Sequence, residues 1–239
     1  MSNVFERIEK KYMLTRAQAI ALSNAFCGRL AQDQYGLHTI NNLYLDTGDY
    51  ALIRASIEKP VYKEKMRLRA YGTPREGSTV FLELKKKYKG VVYKRRVAMT
   101  LASATAYLGH GERPQSGGQI LREMDWFRAQ YDVTPKAFIA YDRTALYGLE
   151  DPELRVTFDD NIRYRLTQLD LSKGSWGTQL LPADQVLMEV KMAGAMPLWL
   201  ARTLSDLSII PTSFSKYGMV YKEAIHPYWN QPEEIAHVS

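Results

Sequence analysis

The sequence predicts an α+β fold, a closed antiparallel β-barrel of about eight strands that encloses a tunnel and carries helices on its outside. Three observations lead there. About six or seven segments alternate charged and apolar residues with the period of two that a half-buried strand requires. The charged members are mainly Lys and Arg, set two residues apart so that like charges line one face. Stretches with helical spacing lie between them.

Near the N-terminus Arg7, Glu9 and Lys11 share a strand face. A helix is expected from Thr15, because Thr15 and Gln18 have capping-box spacing and Ala19, Leu22, Phe26 and Leu30 recur at helical intervals. A second helical stretch runs from Asp49 to Ile57. In KEKMRLRAY, Lys63, Lys65, Arg67, Arg69 and Tyr71 point one way and Met66, Leu68 and Ala70 the other. The next run sets Phe81, Glu83, Lys85 and Lys87 against Val80, Leu82 and Leu84. A turn at Lys89-Gly90 then leads to a strand with Lys94 and Arg96 together, which makes a hairpin.

Gly109 to Gly118 reads as a loop between strands and helices, and Gly118 to Tyr131 as a helix. Tyr141 and Arg143 share a face; Arg155, Thr157 and Asp159 oppose Leu154, Val156 and Phe158; Glu189 and Lys191 oppose Met188, Val190 and Met192. Helices are expected again from Leu198 to Leu207 and after Ser215.

An antiparallel sheet with one solvated face also alternates in this way. A solvated face, however, mixes both charge signs with Ser, Thr and Gln, whereas these rows are mostly cationic. Several such rows on one concave surface would suit a multiply charged anion, since like charges repel without a counter-charge.

The remaining composition narrows the classes. With 239 residues, 46% of them apolar, and no Pro/Gly/Ser-rich linker or repeat, residues 1–239 are expected to form a single domain. Thirty-two Lys and Arg against 26 Asp and Glu favour polyanionic partners. The single cysteine, Cys27, excludes an intramolecular disulfide and reads as a packed thiol. The opening MSNVFERIEKKYML is too charged for a signal peptide, and no stretch approaches the roughly 20 apolar residues of a membrane span. A soluble cytoplasmic protein without membrane insertion is expected, which leaves room for a membrane-protein partner. P-loop, CxxC and HExxH motifs are absent, and no G-x-G-x-x-G follows a strand. The 16 tyrosines read as packing residues, so specific nucleic-acid binding is not expected. His38, His110, His226 and His237 fall outside the alternating strands, and no general base is assigned to them.

Taken in order, the motifs are R-x-E-x-K-Y (Arg7, Glu9, Lys11, Tyr12), LYLDT (Leu43 to Thr47), K-x-R-x-R-x-Y ending at Tyr71, and E-x-K (Glu83, Lys85). They continue with KRR (Lys94 to Arg96), Y-x-R (Tyr141, Arg143), R-x-T-x-D (Arg155 to Asp159), E-x-K (Glu189, Lys191) and SKY (Ser215 to Tyr217). Over nearly the whole chain this series resembles the triphosphate tunnel metalloenzymes, and among them the polyphosphate polymerases related to the catalytic domain of the vacuolar transporter chaperone (VTC) complex. Arg7 stands where the adenylate-cyclase and thiamine-triphosphatase branch has the first glutamate of E-x-E-x-K, which favours the polymerase branch.

The resemblance implies that Lys11, Arg67, Arg69, Lys85, Lys94, Arg143, Arg155 and Lys216 contact phosphate oxygens, with support from Tyr141, Ser215, Arg7, Arg96 and Lys191. It further implies that Glu189 binds Mg²⁺ or Mn²⁺, while Glu9, Glu83 and Asp159 orient cations or bind metal through water. The function it implies is transfer of the ATP γ-phosphate to a growing polyphosphate chain. The alternatives are a metal-dependent triphosphatase of the same fold and a non-catalytic module that binds polyphosphate or ATP.

Overall fold

The structure, a computed structural model, describes residues 8–89, 91–114 and 118–229. The first half contains β1 (Ile8–Thr15), α1 (Arg16–Ala25), β2 (Leu30–Gln32), β3 (His38–Asp46), α2 (Ala51–Ile57), β4 (Tyr62–Tyr71), β5 (Thr79–Tyr88) and β6 (Val91–Thr100). After α3 (Leu101–His110) and α4 (Gly118–Tyr131) come β7 (Thr134–Gly148), β8 (Arg155–Arg165), β9 (Thr178–Gln179) and β10 (Gln185–Met192). The described residues end with α5 (Leu198–Asp206), α6 (Lys216–Val220), a π-turn (Tyr221–Ile225) and α7 (His226–Trp229).

The ten strands of the described residues belong to one antiparallel sheet, with main order β1-β10-β8-β7-β3-β4-β5-β6, β2 beside β7 and β9 beside β8. Alternation sorts the strand residues onto two faces. Outward residues of β3 to β6, such as Met66, Leu68, Val80, Leu82 and Leu84, pack under α3 and α4. Those of β1, β8 and β10, such as Tyr12, Leu14, Val156, Met188 and Val190, pack with Leu22 of α1 and Leu200 and Leu204 of α5. A third cluster joins Tyr44, Ile139, Tyr141 and Leu187 on the inner face to Ile53 of α2 and Tyr217 and Val220 of α6. The last elements of the chain therefore fill part of the space enclosed by the curled sheet.

The expected closure is absent among the described residues: the strand path ends at β1 and β6. The edge of β1 is instead met by the segment before α6, where Thr212 donates its N–H to the Lys11 carbonyl at 2.7 Å and Lys11 Nζ donates to the Phe214 carbonyl at 3.0 Å. Lys65 of β4 donates to Ser215 Oγ at 3.3 Å, so one short segment spans from the edge of β1 to β4. That segment occupies part of the edge a closing strand would take.

The capping box at Thr15 and Gln18 forms as expected, but the helix ends at Ala25, Cys27 is exposed rather than packed, and Leu30 opens β2. Helix α3 was not expected; Thr100 caps it, and Leu101, Ala104 and Tyr107 bury its inner side. His38 is the first residue of β3, contrary to the placing of every histidine outside the strands. Among the described residues no helix is long and apolar enough to cross a membrane.

Candidate functional site

Pairing register decides which side chains meet on the inner face. Arg67 of β4 lies opposite Glu83 of β5, and Glu83 opposite Arg96 of β6; Lys85 lies between Lys65 and Lys94. Glu83, 2% exposed, is surrounded by cations. Arg67 Nε donates to its Oε2 at 2.8 Å, Lys94 Nζ is 2.8 Å from Oε1, Arg96 Nε 3.2 Å from Oε1, and Arg69 Nε 3.7 Å from Oε2. Burial alone would raise the Glu83 pKa, but the charges of Arg67, Arg69 and Lys94 outweigh it and bring the value to about 2. One carboxylate shared by four cations leaves positive charge in excess. Strand β3 adds neutral acceptors, since Arg69 Nε donates to Asn42 Oδ1 at 3.1 Å and Arg67 Nη1 to Tyr44 Oη at 3.2 Å.

The second group spans β7, β8, β10, β1 and α6. Arg143 lies opposite Asp159 and donates to it through Nε and Nη2, the latter at 2.7 Å. Lys216, buried at the start of α6, donates to the same carboxylate at 2.6 Å. Glu189 is held more loosely, with Lys11 at 3.4 Å and Lys216 and Arg143 each at 3.7 Å. Burial would raise the Glu189 pKa, yet Lys216, Lys11, Arg143 and Lys191 hold it well below the usual range, and Lys216 and Arg143 do the same for Asp159. Glu9 lies 3.6 Å from Lys11 and 3.8 Å from Lys191. Tyr141 sits beneath Lys216 at 4.4 Å and Arg143 at 5.1 Å. Ser215 caps α6 by accepting the Gly218 N–H at 3.2 Å.

The two groups face each other. Lys85 of β5 senses the charges of Glu9, Lys11 and Lys191 on the far strands, and Lys65 senses Lys11. All the expected inner-face residues in the described range therefore line one concavity, although not equally. Lys85 and Lys94 are solvent-exposed, and Arg155 lies at the rim, exposed, opposite Lys191 and 5.7 Å over the Tyr147 ring. Arg7 lies outside the described residues.

Lys65 was missing from the expected phosphate-contacting set although it shares the face of Arg67. It lies among Arg67, Lys11 and Lys85, 5.8 Å over the Tyr44 ring and 5.9 Å over that of Tyr217. Burial, reinforced by those three cations, lowers its pKa to about 8. Asn42 and Tyr44 were missed as well; a strand with neutral polar residues on its inner face does not stand out from an ordinary buried strand.

Among the described residues no group of three His, Cys, Asp or Glu side chains is placed to hold a metal ion. Glu83 and Asp159 are each engaged by close cations, whereas the contacts of Glu189 are all 3.4 Å or longer. Of the carboxylates, Glu189 is the one that would be free enough to hold a hard divalent ion together with bound phosphate oxygens, with Glu9 beyond Lys11.

The fold is thus a curled antiparallel sheet with a cationic inner face and helices outside it. Two solved structures share it: a putative adenylate cyclase from Bacillus halodurans (13% identity, 87% of this chain and 93% of that one, TM-score 0.54), and a putative adenylyl cyclase from Hippeastrum described as having a dominant triphosphatase activity (17% identity, 91% and 95%, TM-score 0.53). At these identities the likeness concerns the fold. No curated protein matches the sequence. The VTC domain family matches residues 6–225, and the chain belongs to that family.

Proposed function

We propose that this chain is an ATP-dependent polyphosphate polymerase. The observation that carries the reading is that the inner face is rich in cations and poor in bases. Glu83, Asp159 and Glu189, the buried carboxylates among its cations, are held below the ordinary carboxylate range and are weak proton acceptors. The pKa of Asp46, at the end of β3, is raised by burial, and its carboxylate accepts from the Thr47, Leu52 and Ile53 N–H groups and the Tyr217 hydroxyl. Water would need activation to attack a phosphorus. The terminal phosphate of a polyphosphate chain is already ionised near neutral pH and needs none.

In this reading ATP lays its triphosphate along the inner face and a polyphosphate terminus lies in line with the γ-phosphorus. A terminal oxygen forms the new P–O bond, the bond from the γ-phosphorus to the β–γ bridging oxygen breaks, and its electron pair leaves with ADP. Lys11, Arg67, Arg69, Lys85, Lys94, Arg143, Arg155 and Lys216 neutralise the entering, equatorial and leaving oxygens, with Arg96, Lys191, Tyr141 and Ser215 in support. Arg forks grip two oxygens and Lys acts as a point charge, so the chain can shift by one phosphate between turns. When bound at Glu189 and the phosphates, Mg²⁺ or Mn²⁺ supplies further charge neutralisation. In this reading the polymer is made in the cytoplasm and stays there unless a membrane-protein partner exports it.

Incubation with ATP and Mn²⁺ followed by gel electrophoresis tests the proposal. Long anionic polymers support it. Orthophosphate as the sole phosphate product would make the protein a triphosphatase, and tight binding without turnover would make it a binding module.

A further inference from the structure

We infer that one mouth of the inner face carries a nucleobase platform, formed by Tyr35, His38, Tyr71 and Phe81, that takes the base of a nucleoside triphosphate. The inference rests on the reading above and adds to it the half of the donor that is not phosphate.

The four rings form a continuous chain of tilted and edge-to-face contacts, with interplanar angles of 68°, 49° and 79°, in which Tyr35 and Tyr71 are the exposed members. Centroids are 6.2 Å apart from Tyr35 to His38, 6.0 Å from His38 to Tyr71 and 5.8 Å from Tyr71 to Phe81. Register places these rings at the edge of the phosphate-binding cations: His38 pairs with Arg143, and Phe81 with Arg69. Arg96 joins the two zones, with its guanidinium 3.7 Å over Phe81, Nη2 donating to Tyr71 Oη at 3.0 Å, and Nε 3.2 Å from Glu83. A ligand whose charged end reaches Glu83's cations would have its uncharged end beside Tyr71.

Core packing does not account for these rings, since Tyr35 is 69% exposed and Tyr71 50%. Nor does phosphate binding, because the face of an aromatic ring carries partial negative charge and repels an anion. A nucleobase has an uncharged π-face that stacks on such rings. The other end of the same strands differs. There Lys63 and Lys87 pair on the inner face, while Tyr62 and Tyr88, the next pair along, fall on the opposite one. That lysine end offers charge to a bare phosphate chain.

The test measures dissociation constants for ATP and for inorganic tripolyphosphate by calorimetry, in the wild type and in Tyr35→Ala, Tyr71→Leu and Tyr71→Phe. ATP binding is expected to weaken about tenfold in Tyr35→Ala and Tyr71→Leu and to hold in Tyr71→Phe, with tripolyphosphate within about twofold throughout. Tyr35 is exposed, so its variant keeps the test open if Tyr71→Leu fails to fold. Unchanged ATP affinity, or equal losses for both ligands, would overturn the platform and leave the tunnel reading in place. Failure of the wild type to bind tripolyphosphate would overturn both.

Discussion

Lys216 Nζ lies 2.6 Å from the buried Asp159 carboxylate, so the first residue of α6 is pinned to the inner face of β8 across 57 positions of sequence. Arg143 grips the same carboxylate. Removing one member of a buried ion cluster strands the others, at a typical cost of about 3–5 kcal/mol. Asp159→Asn is therefore expected to lower the melting temperature sharply in the empty protein. Tripolyphosphate should recover part of the loss by supplying the missing negative charge, and should do so better than pyrophosphate or orthophosphate. Equal melting temperatures for variant and wild type would contradict this role.

Arg67 and Arg69 converge on Glu83 from adjacent inward positions of β4. Alanine at either should reduce turnover about 100- to 1,000-fold, the usual effect of removing one donor aimed at developing charge. The outward residues Met66 and Leu68 stay packed, so the circular dichroism spectrum should not change. Near-normal turnover in both variants would remove these arginines from the reaction.

Lys65 predicts a pH dependence. Its pKa of about 8 in the folded protein lies below the ordinary 10.5, so the folded state binds this proton less tightly than the unfolded chain does. The resulting destabilisation is complete below pH 8 and fades as pH rises towards 10.5. A bound polyanion favours the charged amine, so tripolyphosphate affinity should fall above pH 8, by up to about tenfold per pH unit from this group. Lys85 and Lys94, whose side chains reach solvent on one side, are also shifted down by the desolvation of their remaining surroundings. Calorimetry between pH 7 and 9.5 should give a smaller slope for Lys65→Met; an identical slope would show that another group titrates.

Glu189→Gln separates metal chemistry from anion binding. The change keeps side-chain size but removes the charge that Lys11, Lys216 and Arg143 share. Half-saturation by Mn²⁺ should move to higher concentration, with partial rescue by excess metal. Tripolyphosphate binding without metal should persist or tighten, because a negative charge has left an anion site. Unchanged metal dependence would shift attention to Glu9, which lies across Lys11.

How much of this was legible in the sequence follows from range. The rows Lys63 to Tyr71, Phe81 to Lys87 and Arg155 to Asp159 declared their faces because period-two alternation is local. Closure is not local: the edge of β1 meets Thr212, about two hundred residues on, in a segment with no periodic pattern. Helix α3 was hidden because it follows directly on β6 and leads to the Gly109 to Gly118 stretch, where turn residues dominate. The candidate site was read mostly through cations. Asn42 and Tyr44, which hold Arg69 and Arg67 in place, carry no charge to mark them.

A polymerase and a triphosphatase differ most directly in where the γ-phosphate of ATP goes. With γ-labelled ATP, Mn²⁺ and a short polyphosphate primer, quenched samples are separated into ADP, orthophosphate and acid-insoluble polymer. The account predicts one label retained in polymer for each ADP formed, with orthophosphate at background. One labelled orthophosphate for each ADP, with none in polymer, would contradict it.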